Sequence, residues 1–262
     1  MKILVTAKRV TDPDARIRLK SDLSGIDLEG VEYKLNPFCE NAIEEALRLK
    51  TVHGGEIVAV AIGDQTSTTE VRRALAMGAD RGFLVDGNDD ELDGDLVARI
   101  MVKLAEQEQP DLIIFGKQAV DGDSNQTAQL TAEYLGWGQA CFAAHPEGSA
   151  GMNSKDPGLK IDGDKATVMR EVDGGAEFVE VTMPAVISAD LRLNEPRLPT
   201  LPNIMKAKRK PLNQITMGDL GVEPTLKVKT IAYRNPPERK AGILVADVNE
   251  LMDKLINEAK VL

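Results

Sequence analysis

Four times between Lys2 and Leu135 a short apolar run is followed, across a polar turn, by a segment with helix-start chemistry and apolar residues at helical spacing. The runs are Lys2 to Ala7, Glu56 to Ile62, Gly82 to Val85 and Asp111 to Phe115. Runs this short and this continuously apolar suit strands buried on both faces, the condition of a parallel sheet. Their alternation with helices requires right-handed crossovers and predicts an α/β fold built on a doubly wound, mainly parallel sheet.

The helix signals are local. Asn36-Pro37 joins a favoured N-cap to the residue best suited to the first helical position, and this helix is expected to reach about Lys50 before Gly54-Gly55. Ser67 with Glu70 reads as a capping box for a helix through Met77, stopped by Gly78. Leu96 to Glu108 and Ala128 to Leu135 complete the set. The polar excursion from Lys8 to Lys34 has turn chemistry at Asp22 to Gly25, with an irregular hairpin expected over Ile26 to Tyr33.

Beyond Leu135 the period changes. Gln139 to Ala144 reads as a fifth strand, and Lys160 to Ile161, Ala166 to Val172 and Phe178 to Thr182 as short appended strands in antiparallel hairpins. Ala185 to Ala189 is another buried strand. Pro196, Pro199, Pro202 and Pro211 then argue for an extended arm without a regular helix or central strand. Val228 to Tyr233 reads as a strand and Val248 to Lys260 as a terminal helix. Residues 1–190 are thus expected to form the α/β domain. Residues 191–262, with few long apolar segments, form a C-terminal arm that needs a partner to cover it.

The stretch Gly116, Lys117, Gln118, Ala119, Val120, Asp121, Gly122, Asp123, Ser124, Asn125, Gln126 and Thr127 lies between the fourth strand and its helix. Loops at the carboxyl ends of parallel strands are where such sheets bind ligands, because helix N-termini there expose unpaired N–H groups. Ser124, Asn125, Gln126 and Thr127 add donors for a phosphate or ribose. Asp121 and Asp123 would repel a phosphate and are expected to face ribose hydroxyls or backbone amides. Two readings stand at this point: a phosphate loop, and a solvated strand–helix turn.

Other chemistry is sparse. The chain has no GxGxxG after a strand, no GxxxxGK[ST] and no GxSxG. Its only histidines, His53 and His145, read as solvated residues rather than as members of a catalytic set. Cys39 and Cys141 are too few for a disulfide framework or a metal cluster. Cys39 reads as a small packed residue near the nucleotide side of the sheet. A net charge of −10 argues against nucleic-acid binding, and no apolar run approaches the length of a membrane span. The expected location is the cytoplasm, or the mitochondrial matrix in a eukaryote. The basic run Lys206 to Lys210 reads either as a solvated face or as a patch steering toward an acidic partner. Nearby, Leu198 and Leu201 stand between prolines as candidate anchors for a partner pocket.

Several blocks together resemble the β subunits of electron transfer flavoproteins: Lys8-Arg9-Val10, Asn36-Pro37-Phe38-Cys39, the run Arg73 to Arg81, Gly116 to Thr127, Ala189 to Arg197, and Leu201 to Lys208. The resemblance implies a Rossmann-like, adenine nucleotide α-hydrolase-like fold. It also implies an electron carrier rather than an enzyme, forming an obligate heterodimer with an α subunit that holds most of the FAD. A structural AMP would be bound by Thr6, Asn36, Pro37, Phe38, Cys39, Ile62 and Gly116 to Thr127, although many relatives have Ala where Thr6 stands. Acyl-CoA and related dehydrogenases would dock on Arg197, Leu198, Pro199, Thr200, Leu201, Pro202, Asn203, Ile204, Met205 and Lys206. Electrons would leave to a membrane quinone oxidoreductase. Glu171 matches a position that contacts the α subunit's flavin domain, and Pro13 stands where some relatives place an aromatic near the flavin. A bifurcating branch carries a second FAD in place of AMP; Ser124 to Thr127 here resembles the AMP-type sequence. The alternatives of other classes are an adenylate-forming enzyme and a stand-alone nucleotide sensor.

Overall fold

The structure, a computed structural model, describes residues 1–145, 158–238 and 241–262. The first strand, β1 (Lys2–Thr6), leads to β2 (Arg9–Thr11), then β3 (Arg18–Leu19), β4 (Ile26–Asp27) and β5 (Tyr33–Leu35). β2 pairs antiparallel with β5, and β3 with β4. Alternation follows: α1 (Pro37–His53), β6 (Glu56–Gly63), α2 (Thr68–Met77), β7 (Arg81–Asp86), α3 (Gly94–Glu108), β8 (Leu112–Gly116) and α4 (Thr127–Leu135). After β9 (Gly138–Ala143) come β10 (Leu159–Asp162), β11 (Lys165–Val172), β12 (Gly175–Thr182) and β13 (Ala185–Ala189). The last elements are α5 (Leu201–Ala207), β14 (Leu212–Thr216) and α6 (Val248–Asp253).

One ten-stranded sheet takes the order β10-β11-β9-β13-β8-β1-β6-β7-β14, with β12 on β11. From β9 to β14 every neighbouring pair is parallel, while β10, β11 and β12 pair antiparallel and join β9 through Arg170 opposite Ala143. The alternation of buried side chains along each strand separates two cores. Ile3, Val5, Ile57 and Ala59 pack under α1 and α2. Leu4, Val58, Val60 and Ile113 pack under α3 and α4. Helices on both faces of a parallel sheet make the doubly wound α/β class that the apolar pattern predicts.

Four local expectations need correction. The turn before α2 is capped by Asp64, whose carboxylate accepts from Thr66 N at 2.9 Å, and Ser67 makes no capping bond. A 3-10 turn over Gln65–Ser67 moves the true start upstream of the Ser-x-x-Glu pattern. The proline-rich stretch contains a helix after all, because Pro202 falls in the first turn of α5, where its missing N–H costs no bond. It also supplies an edge strand, β14, parallel to β7. Val228 to Tyr233 forms no strand. The terminal helix is confined to α6 and a wider turn over Lys254–Glu258.

Two compact units result. The larger comprises Met1–Ile17 and Leu28–Thr230; the smaller comprises Arg18–Asp27 and Ile231–Leu262. None of the described residues of the smaller unit is buried, and Ile231, Ile243, Leu244, Val248, Val261 and Leu262 are exposed apolar side chains. No helix among the described residues is long and apolar enough to cross a membrane.

Candidate nucleotide site and recognition loop

The strand order reverses around β1. The chain steps from β1 outward to β6 and β7, then returns to β8 on the other side. Ligands of open α/β sheets bind outside the carboxyl ends of the strands at such a point, here between Thr6 and Gly116. The two ends touch: Gly116 N donates to Thr6 Oγ1 at 3.4 Å, and that hydroxyl lies 3.4 Å from Cys39 Sγ. Gly116 is required by close approach, since a Cβ there would lie 2.8 Å from Cys39 N and from Phe38 C. The first turn of α1 therefore rests directly on the end of β8. Ile62 lies on the neighbouring strand, two residues beyond Val60, the register partner of Thr6.

Asn36 precedes α1 but does not cap it with its side chain. Its amide instead reaches the loop after β8: Nδ2 donates to Gln118 O at 2.8 Å and Oδ1 accepts from Val120 N at 3.3 Å. Asn36 is fully buried, so both polar ends of its side chain are satisfied by this bridge. Further along, Gly122 N and Asp123 N both donate to Ala119 O. Asp123 and Asn125 adopt left-handed backbone, φ 49° and 46°, which their short polar side chains tolerate better than most. Ser124 Oγ donates to Gly122 O at 3.4 Å, and the Gln126 amide packs over Gly94 at the start of α3.

The two loop carboxylates are turned to protein partners. Asp121 accepts from Lys8 Nζ at 2.9 and 3.2 Å, and Asp123 accepts from Gln118 Nε2 at 2.8 Å. Among the described residues neither accepts from a backbone amide, one of the two kinds of partner expected for them. Lys117 is also engaged, with Asp190 Oδ2 at 2.9 Å and the Phe142 ring at 5.3 Å. Arg9 stacks on Tyr33 at 3.5 Å and lies 3.7 and 3.6 Å from Asp64 and Asp89. Behind it, Ser67 Oγ and Glu70 Oε2 are buried without a hydrogen bond, and burial holds the Glu70 carboxyl above its usual range.

No side chain caps the N-terminus of α4, which begins at Thr127 and runs for 9 residues. The amides of its first turn point out of the loop that Asn36 braces. The site thus offers backbone donors, small side chains and two helix starts. Among the described residues no hydrogen bond joins His53 or His145 to a Ser or Cys, and no group of three metal-type side chains converges. Donors in this arrangement can hold a polar anion.

The candidate recognition stretch is separate. Arg197 to Thr200 leads into α5, which holds Leu201, Pro202, Asn203, Ile204, Met205 and Lys206. Leu198 is 83% exposed and Leu201 73%, with Met205 and Ile204 beside them. The basic run ends differently from a solvated face: Lys210 Nζ donates to Leu75 O at 2.9 Å and Ala79 O at 2.5 Å, closing the C-terminus of α2. Glu171 forms an ion pair with Arg192 of the same chain.

The sequence model of the electron transfer flavoprotein domain matches residues 25–220. Curated relatives match along essentially their whole length. The electron transfer flavoprotein subunit beta of Bradyrhizobium diazoefficiens is 49% identical, covering 100% of both chains. The mitochondrial subunit beta of Arabidopsis thaliana is 47% identical over 100% of both. The human subunit beta is 46% identical over 97% of this chain and 96% of its own. The chain belongs to the electron transfer flavoprotein β-subunit family. Membership makes an α subunit its partner and a flavin-associated electron carrier its setting. It also brings Lys8 and Asn36 into focus. The sequence reads Asn36 as a helix cap and, through the resemblance, as an AMP contact beside Gly116 to Thr127; Lys8 has no such signal, because it reaches Asp121 across a chain separation that no local pattern encodes.

Proposed function

We propose that this β subunit binds AMP in the cradle formed by Thr6, Asn36 to Cys39, Ile62 and Gly116 to Thr127, and that the AMP is structural. The observation that carries this reading is the engagement of the loop's two carboxylates by neighbouring side chains. Lys8 and Gln118 already occupy Asp121 and Asp123, which leaves the helix-start amides free to receive a phosphate. Gly116 also lets the first turn of α1 lie against the end of β8, which brings the two sides of the cradle together.

In this reading the FAD is held mainly by the α subunit and, when bound, supplies all of the electron transfer. This chain helps enclose it, with Glu171 near the α subunit's flavin domain. The smaller unit, with no buried residue among those described and several exposed apolar side chains, packs on the α subunit. Residues Arg197 to Lys206 dock acyl-CoA and related dehydrogenases, with Leu201 as the anchor, and electrons pass on to a membrane quinone oxidoreductase. The protein is a carrier rather than an enzyme. It works in the cytoplasm of a bacterium or in the mitochondrial matrix.

A bifurcating β subunit with a second FAD is the other reading to separate. Denaturing the purified heterodimer and quantifying the released nucleotides does so. One FAD with one AMP is expected. Two FAD would replace this reading with the bifurcating one, and FAD without any second nucleotide would end both.

A further inference from the structure

The stretch that lifts Leu198 and Leu201 into solvent is fastened on both sides by polar side chains of the helices beneath it. On the upstream side the fastener is α1. Glu44, 6% exposed, accepts three hydrogen bonds from Arg197: from the backbone N at 3.1 Å, from Nε at 2.7 Å and from Nη2 at 2.8 Å. One turn earlier, Asn41 Nδ2 donates to Leu191 O and to Asn194 O, at 3.1 and 2.7 Å. Asn194 returns the contact to Asn41 O and to Glu45 Oε2, at 3.1 and 3.0 Å. Downstream, Arg72 Nη1 on α2 donates to Ala207 O and Lys210 O, both at 2.7 Å. Between these clamps lie the exposed apolar residues of the loop and α5.

A buried carboxylate is costly unless its acceptor sites are filled, and Glu44 is filled by one residue only. Because Arg197 contributes its backbone N–H as well as its guanidinium, the pair fixes where the chain runs, and Leu201 lies four residues on. An apolar anchor gains affinity when its backbone is ordered before the partner arrives. We infer that Glu44 is a positioning residue for partner docking, acting through Arg197 to hold α5 in the geometry that presents Leu201. The inference rests on the docking role of Leu201 proposed above.

The test uses the intact heterodimer, with an acyl-CoA dehydrogenase as donor, and compares Glu44→Gln, Leu201→Ala and the double variant. Glutamine keeps the size of the side chain but loses the charge and one acceptor oxygen. In Glu44→Gln the KM for the dehydrogenase rises roughly tenfold with limiting kcat, bound nucleotide and Tm unchanged. Amides of residues 200–206 exchange faster. On the Leu201→Ala background the same change adds less than about twofold, because the group it positions is gone. An unchanged KM in Glu44→Gln, a full multiplicative effect on that background, or a joint fall of Tm, nucleotide content and kcat would each overturn the inference. If Leu201→Ala itself leaves KM unaltered, the docking reading falls and the inference with it. Should Glu44→Gln fail to assemble, Glu44→Asp takes its place, since the shorter side chain cannot reach both the backbone N–H and the guanidinium of Arg197. The same KM rise is then expected, and its absence overturns the inference.

Discussion

The side-chain amide of Asn36 donates to the carbonyl of Gln118 at 2.8 Å across 82 positions of chain, and so joins the start of α1 to the loop after β8. Removing it leaves the carbonyl of Gln118 and the N–H of Val120 without their partner in a part-buried place. Asn36→Ala is expected to destabilise the heterodimer by about 1–3 kcal/mol and to release the bound nucleotide on gel filtration. Retention of a full equivalent of nucleotide would remove Asn36 from the site.

Gly116 offers a sharper steric test. Alanine there would set its Cβ 2.8 Å from backbone atoms of Phe38 and Cys39, and backbone cannot yield as a flexible side chain would. Gly116→Ala is expected to cost about 1–3 kcal/mol through displacement of the first turn of α1, with nucleotide content falling in step. Equal chemical denaturation midpoints for variant and parent would show that α1 relaxes without loss.

Lys8 and Asp121 form a half-exposed pair, so their mutual attraction contributes roughly 0–1 kcal/mol to stability. The effect on an anionic ligand is expected to be larger than the effect on the fold. Lys8→Met uncovers the carboxylate of Asp121 and weakens nucleotide retention by roughly three- to tenfold at low salt, less so at high salt. Lys8→Met combined with Asp121→Asn restores it. Equilibrium dialysis of the three proteins decides the matter, and a double variant as weak as the single one would count against the charge argument.

Glu45 sets a pH dependence of known sign. Burial pushes its carboxyl above the usual range, partly opposed by the hydrogen bond from Asn194 and by Arg48. An acid with a raised folded pKa contributes stability that is fully present below its unfolded value, about 4.3, and lost as pH rises through the folded one. Glutamine does not titrate. The Tm difference between Glu45→Gln and the parent heterodimer should therefore move in favour of the variant between pH 4 and 7. A constant difference would show that Glu45 keeps its solution pKa.

What could be read from the sequence was whatever the chain encodes locally. The continuous apolar runs of β1, β6 and β8 announce strands covered on both faces, and Gly78 marks the end of α2 because no other residue suits φ 144°. The cap of the turn before α2 is not legible in the sequence because two polar residues compete for it within four positions, and only the backbone decides between Asp64 and Ser67. β14 escaped notice because Leu-Asn-Gln-Ile-Thr is half polar and follows a proline; it is a strand only because β7 has a free side. The parts of the candidate site that depend on partners far along the chain were silent for the same reason. Lys8 on Asp121, Asn36 on Gln118 and Glu44 on Arg197 are tertiary facts without a spacing rule.

The place of β14 at the sheet margin has a practical meaning for anyone trimming this protein. It covers the open side of Arg81–Asp86, pairing Leu212 with Gly82 through Thr216 with Asp86, and presents Asn213 and Gln214 to water. A fragment ending after β13 would retain the crevice between Thr6 and Gly116, yet expose an apolar ribbon, Gly82 to Val85, as a ready template for sticking to other copies. Polar β14 acts as a gatekeeper against self-association, and a soluble truncated form must carry it.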